Sequence, residues 1–464
     1  MLTLSFGSGT RDCSGFTRRN FLRAGALGLG GFALPQQLRA AGADPSFIKD
    51  KAIVVVFLAG GVSHIETFNP NMDGIDVSRS ITGEVKTDVP GITLGGTFEK
   101  LATHMKTGAI VRSFRHPIGN HDQAISHVLT GGTDATGQAQ AGSSLGSMYA
   151  RCRGANHETT GIPTYALLTS PHKDGQYSKE MNRVQVGSRA GTLGASYEPF
   201  VPTGKGPALE NMQLRLPAER LDDRRELLKQ LDGLKSGIDS RDTGTGYGQF
   251  EHQAMELIAN GAGKAFDLSK EPKAMLDKYD TAGFKCGKKV FEPSTLGKQF
   301  LMARRLIEAG CGFITVQSAG WDMHADGNNP PVKEGMEMLG RPLDKALSAF
   351  LDDLQDRGLL EKTLVVVTGD FGRTPKINKN GGRDHWANLC TLAFFGGGIR
   401  GGQVIGKSAK NNDVPATDPY HTGHLFATLF HHAFDLGALR VARGVPTTIL
   451  NAATASKVID GLWS

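Results

Sequence analysis

Five cysteines in 464 residues, with no Cys-x-x-Cys pair among them, leave neither a zinc knuckle nor a thioredoxin-like redox site to consider. Four lie beyond residue 43: Cys152, Cys286, Cys311 and Cys390. Cys311 and Cys390 sit in apolar strand contexts and read as buried thiols, while one disulfide of unread pairing is compatible with an oxidising compartment. No apolar run approaches the roughly 20 residues of a membrane-spanning helix. No internal repeat or low-complexity tract occurs, so solenoids and disordered linkers are set aside. Charge is not in excess either. The formal net charge is +6, and residues 1–43 carry five Arg against one Asp, so the remainder is nearly balanced. The basic pI is therefore no argument for a nucleic-acid partner.

Glycine is what the chain has in quantity, 61 residues, and it predicts many tight turns and long surface loops. The N-terminus has the form of a targeting segment. Thr17-Arg18-Arg19-Asn20-Phe21-Leu22-Arg23 is a twin-arginine motif, and Ala24 to Leu34 is a short, weakly hydrophobic run. Ala41-Gly42-Ala43 fits the small-residue cleavage rule, so residues 1–43 read as a signal peptide and 44–464 as the mature domain. The expected location is periplasmic or secreted, with no stable transmembrane anchor.

Beyond Asp44 the chain alternates apolar strands with amphipathic helices. Strands are predicted at Ala52 to Leu58, Gly108 to Ser113, Ile162 to Thr169, Gly312 to Gln317, Leu364 to Thr368 and Leu392 to Phe395. Helices are predicted at Gln123 to Leu129, Lys273 to Tyr279, Leu296 to Glu308 and Pro342 to Arg357, with a last one opening after His421. This rhythm implies an α/β fold with a mostly parallel sheet and helices on both faces. Residues 170–206 are rich in Gly, Pro and Ser and read as surface loops. Residues of about 205–290 read as a helical insertion over the sheet.

Polar side chains gather where these strands end. The first strand runs into Gly60-Gly61 and presents Ser63, His64, Glu66 and Asn69. His121 and Asp122 open a helix, Asp322 and His324 follow the strand at Gly312, and Asp370 follows the strand at Leu364. Arg373, Arg383, Asp384 and His385 lie on the loop beyond. Open α/β sheets bind ligands at the carboxyl ends of their strands. Imidazole with carboxylate suits Zn²⁺, Mn²⁺ or Fe, and an all-oxygen shell suits Mg²⁺ or Ca²⁺. One or two divalent ions are expected, with Asp322, His324, Asp370, Asp384 and His385 as ligands and His64 and Glu66 completing the shell. Arg373 and Arg383 would hold a substrate anion by bidentate contacts. The alternative is a buried ion-pair network of Asp370, Arg373, Arg383 and Asp384 that only fixes the loop.

Several segments resemble the family called domain of unknown function 1501. They are GGVSHIETFNP, VRSFRHPIGNHDQA with the following LTGG, FDLSKEPKAMLDKYD, LMARRLIEAGCGFITV, GWDMH, GDFGRTPKINKNGGRDHW and FFGGGIRGGQVIG, spread over about 53–440. That family is similar to the alkaline phosphatase-like superfamily, which includes sulfatases and metal-dependent phosphomutases. The resemblance implies a three-layer α/β/α sheet with metals at its carboxyl edge. It also implies a metal-dependent hydrolase of sulfatase or phosphatase type acting on an anionic ester, a polysaccharide ester among the candidates. Three positions depart from the superfamily pattern. The first strand ends in Gly60-Gly61 where an Asp is usual. Counting back from Gly131 of Leu129-Thr130-Gly131 puts His121 at the nucleophile position. Asp370-Phe371-Gly372 has Phe where His is usual. His121 is then the expected nucleophile or general acid/base. The rival expectation is a non-catalytic envelope protein that keeps the fold and a structural metal. The oligomeric state is not legible.

Overall fold

Ala52–Ala59 is an apolar run in which every residue after the first is buried. Burial on both sides is what a central strand of a covered sheet requires. Val54, Val56 and Leu58 point into one hydrophobic core. Ile53, Val55, Phe57 and Ala59 point into a second. Each fully buried aliphatic side chain contributes about 1.5–3 kcal/mol, so this strand anchors both cores at once.

The computed structural model describes residues 46–134, 142–170, 177–202 and 265–463. The twin-arginine segment lies outside these residues, as does most of the expected helical insertion. Of the latter, Lys273–Tyr279 is described and is a helix.

The main sheet is built from β1 (Ala52–Ala59), β2 (Gly108–Val111), β3 (Tyr165–Leu168), β4 (Phe313–Ala319) and β5 (Thr363–Gly369). After β5 a small antiparallel hairpin forms from β6 (Gly372–Ile377) and β7 (Arg383–Trp386). β8 (Leu392–Gly396) and β9 (Gln403–Ile405) return to the main sheet. The strand order is β9-β2-β8-β5-β1-β4-β3. β1 pairs in parallel with both β4 and β5, matching Ile53 to Phe313 and to Leu364. Only β8 runs against its neighbours, antiparallel to β5 and β2. The ends of β1, β4 and β5 therefore share one edge.

The described helices used below are α1 (His121–Leu129), α2 (Leu145–Arg153), α3 (Ser178–Gly187), α4 (Leu296–Glu308), α5 (Arg341–Asp356) and α6 (Thr422–Ala433). α4 and α5 cover one face through Phe300, Leu306, Leu347 and Phe350. α1, α2 and α6 cover the other through Ile125, Val128, Met148 and Phe426. The result is the expected three-layer α/β/α arrangement. Two expectations are corrected. Part of 170–206 is helical, because α3 packs its buried side on α1. The four cysteines of the described residues are free thiols. Burial pushes Cys152, Cys311 and Cys390 up to about 12. None of the described helices is long and apolar enough to cross a membrane.

Candidate metal centre

The turn after β1 is made by Gly60 and Gly61, at φ +116° and +77°, a region that side chains avoid. A Cβ on Gly60 would lie 2.6 Å from the backbone N of Asp322. This close approach brings the end of β4 against the end of β1. The same turn aims both amides at the end of β5. Gly60 and Gly61 N–H donate to Asp370 Oδ1 at 3.0 and 2.6 Å. Asp370 Oδ2 then faces His121 Nδ1 at 2.5 Å.

His121 is the first residue of α1, whose N-cap Asn120 accepts from the amides of Asp122 and Gln123. Its Nε2 lies 3.3 Å from Asp322 Oδ2 and 3.1 Å from His385 Nε2. His385, on β7, holds its Nδ1 3.2 Å from the Gly119 carbonyl and its Nε2 3.3 Å from Asp322 Oδ1. His324 Nε2 lies 3.2 Å from Asp322 Oδ2. Three imidazoles thus turn the same nitrogen toward one buried carboxylate. Among the described residues, His121, Asp322 and His385 form the one group whose ligating atoms are mutually within 4.8 Å. Phe371 wedges this arrangement, its ring 4.7 Å from both the His121 and His385 rings. The Phe that replaces the usual His therefore packs the imidazoles and does not itself coordinate.

Charge follows from these contacts. Burial opposes a proton on His121, but hydrogen bonding to Asp322 and Asp370 outweighs it and raises the imidazole to about 9. Burial works against the Asp322 carboxylate, yet His121, His324, His385 and Arg373 hold it well below the usual range. His324 is raised, chiefly by its hydrogen bond to Asp322.

A divalent cation fits this donor set. Nδ1 of His121 is fixed by a carboxylate and Nδ1 of His385 by a carbonyl, the outer contacts that metal-ligating histidines make. The raised His121 carries a proton on Nε2 as well, and without that proton two Nε2 lone pairs would face each other at 3.1 Å. Only a shared proton or a cation relieves that, and Asp322 supplies the anionic donor beside them.

Of the remaining expected site residues, Glu66, Arg383, His64 and Asp384 have partners away from this carboxylate. Glu66 and Arg383 are both fully buried and pair with each other, Nη2 to Oε1 at 2.8 Å and Nε to Oε1 at 3.0 Å. Ser80 and Thr82 hydroxyls and the Ile81 and Thr82 amides complete the shell of Glu66. The other Arg383 donors go to the carbonyls of Thr374, Pro375 and Arg79. Glu66 is thus no ligand of the cluster, and Arg383 has no donor left for a substrate. His64 sits on this side too, 3.1 Å from the Asn412 carbonyl. Burial lowers it to about 4, so it is neutral. Asp384 is exposed and accepts from Asn378 Nδ2 at 3.0 Å. Arg373 does reach the cluster, but its guanidinium donates to Asp322 and to the carbonyls of Gly60, Gly61 and Arg383. It steadies Asp322 and is not presented to a substrate. Asp122, exposed, pairs with Arg183 at 2.6 Å.

Sequence reasoning missed Glu180 on α3. It is 8 % exposed, and its Oε2 has no hydrogen-bond partner among the described residues. The signal was faint: Glu180, Val184 and Gly187 form a buried stripe at helical spacing, but only one of the three is hydrophobic.

With this geometry in hand, the comparison with protein families is decisive at the level of family. Residues 50–444 match the model of DUF1501, described as a protein of unknown function. The chain belongs to this family. No curated protein matches the sequence. Among solved structures, the lipoteichoic acid synthase LtaP from Listeria monocytogenes is similar at TM-score 0.37 and 10% identity, over 96% of this chain and 80% of that one. A sulfatase from Pseudoalteromonas sp. is similar at 0.32 and 12%, over 85% and 70%. Alkaline phosphatase from the Antarctic bacterium TAB5 is similar at 0.31 and 12%, over 88% and 99%.

Proposed function

We propose that this chain is an exported, metal-dependent hydrolase of sulfatase or phosphatase type that acts on an anionic ester, a polysaccharide ester being one candidate. The carrying observation is the convergence of His121, His324 and His385 Nε2 on Asp322, with the outer nitrogens of His121 and His385 held by Asp370 and by the Gly119 carbonyl. His121, Asp322 and His385 would hold one ion, with His324 steadying Asp322 Oδ2. Asp370 has both oxygens engaged and would act from behind His121. Imidazole-rich donor sets favour Zn²⁺, Mn²⁺ or Fe over Mg²⁺ or Ca²⁺. Such an ion, when bound, polarises an ester oxygen and lowers the pKa of water. Arg373 keeps Asp322 ionised and oriented. His121, as a ligand, is no longer free to be the nucleophile.

One observation favours a second reading, a non-catalytic protein with a structural metal. Among the described residues, no Ser, Thr or Cys side chain hydrogen-bonds to any member of the cluster. With the described residues alone, a hydrolase here would use water as its nucleophile. Metal analysis of the purified protein, with a panel of aryl sulfate and phosphate esters, separates the readings. Stoichiometric metal with turnover supports the hydrolase. Metal without turnover of any ester supports the structural role, and a protein that takes up none of these ions sinks both.

A further inference from the structure

Glu180 has no role in the arrangement described so far. It lies in the first turn of α3, which packs on α1 and touches β1 and β4. Two close approaches fix this helix against the site. Gly187 meets α1 so tightly that a Cβ there would lie 3.0 Å from Leu129 Cδ1. Tyr177, just before the helix, lays its ring on Gly320, where a Cβ would meet it at 2.8 Å. Gly320 is two residues from Asp322, so the start of α3 is pinned beside the cluster. Its carboxyl is near enough to feel the charges of Asp322, Arg183 and His121.

Glu180 is 8 % exposed and its buried Oε2 has no partner, which is costly because nothing offsets the desolvation of that oxygen. It does not belong to the ligating group of His121, Asp322 and His385. A buried acid beside a cation site, but outside its ligand set, is suited to handle a proton. We propose that Glu180 is the proton donor to the leaving oxygen of the ester, a role that rests on the hydrolase reading above.

In that step water forms a bond to the phosphoryl or sulfuryl centre and the bond from that centre to the leaving oxygen breaks. The bonding pair stays on the leaving oxygen, which takes the Glu180 proton. The proton given up by the attacking water restores Glu180. Burial raises this carboxyl above its ordinary range, Asp322 raises it further, and Arg183 and His121 oppose. Arg183 is itself engaged by Asp122, which weakens its pull on Glu180.

The test uses full-length protein, Glu180→Gln and Glu180→Leu. Three quantities are read: bound metal after loading with Zn²⁺ or Mn²⁺, the urea unfolding midpoint, and turnover of a p-nitrophenyl ester against an alkyl ester of the same acid. A nitrophenolate leaves without a proton and an alkoxide does not. Glu180→Gln is expected to keep the parent's metal content and a midpoint no lower than the parent's. It should lose roughly 10²-fold on the alkyl ester while the nitrophenyl ester is spared. Loss of metal would make Glu180 a ligand, and a lower midpoint in both variants would make it a structural residue. Equal effects on the two esters, or none, would also overturn the proposal. A parent that binds metal but turns over neither ester overturns the hydrolase reading and proton donation with it. The metal and midpoint data still tell whether Glu180 serves ion or fold.

Discussion

Replacing Glu66 by Gln should damage the fold and spare the metal centre. Glu66 and Arg383 are both 0 % exposed and are 317 residues apart in sequence. Gln keeps the volume but removes the charge, leaving the Arg383 guanidinium buried with carbonyl oxygens alone. Breaking a buried pair from one side costs about 3–5 kcal/mol. Glu66 also receives four donors from Ser80, Ile81 and Thr82. Three of these, both hydroxyls and the Thr82 amide, go to Oε2; an NH₂ in that place accepts from none of them, and the Thr82 amide orphaned there costs about 1–3 kcal/mol more. The charge effect alone lowers the folded-to-unfolded ratio by roughly 10²–10⁴-fold. Urea unfolding followed by tryptophan fluorescence reads this directly. Trp386 lies on β7, three residues from Arg383, with its indole N–H on the Asp413 carbonyl at 2.6 Å. Metal content per folded molecule is measured on the same samples. The double variant Glu66→Gln/Arg383→Met should recover part of the loss. Recovery stays incomplete because the carbonyls of Thr374, Pro375 and Arg79 lose their donor. A stability loss below about 1 kcal/mol would refute the buried-pair reasoning, since one-sided removal costs about 3 kcal/mol or more. A folded Glu66→Gln protein lacking metal would return Glu66 to the ligand shell.

Other perturbations have equally definite outcomes. His385→Ala should lose stoichiometric metal, measured by elemental analysis, while Asp384→Ala keeps it, because only His385 faces Asp322. Gly60→Ala should also lose metal, since its Cβ would sit 2.6 Å from Asp322 N in a conformation that Ala resists. Stability should fall as pH drops from about 6.5 toward 4, in part through His432. Burial first, then the Lys51 charge, lowers this imidazole from 6.5 to about 4, so between those values the unfolded chain binds a proton that the folded one refuses. That difference is worth up to about 3 kcal/mol, and His432→Gln should flatten the acid limb of a stability–pH curve measured by denaturation. Changing Arg18 and Arg19 together to Lys should leave precursor in the cytoplasm, and normal export by cell fractionation would rule out the twin-arginine reading.

Local chemistry made much of the scaffold legible. β1 and β5 were readable because a strand covered on both faces must be apolar throughout, and Ala52–Ala59 and Thr363–Gly369 are nearly so. α4 was readable from its periodic apolar face and its Ala309-Gly310 stop. The polar loops after β1, β4 and β5 were legible as a group, because a parallel sheet brings the carboxyl ends of its strands to one edge. Which side chains of those loops would meet was not legible. A loop residue points where long-range contacts hold it, and sequence spacing does not record those contacts. Glu66 and His324 both follow a strand end, yet the hairpin β6–β7 takes Glu66 into a closed pair with Arg383. The same hairpin delivers His385 to Asp322. Asp370 looked like a ligand until the Gly60-Gly61 amides claimed one of its oxygens and His121 the other. Glu180 was hidden in a glycine-rich stretch because its burial comes from α1, β1 and β4, not from its neighbours in sequence. Residue types and strand periodicity determined that a polar site would form at this edge. Only the tertiary packing decided which of its charges would pair off, as Glu66 does with Arg383, and which would converge on Asp322.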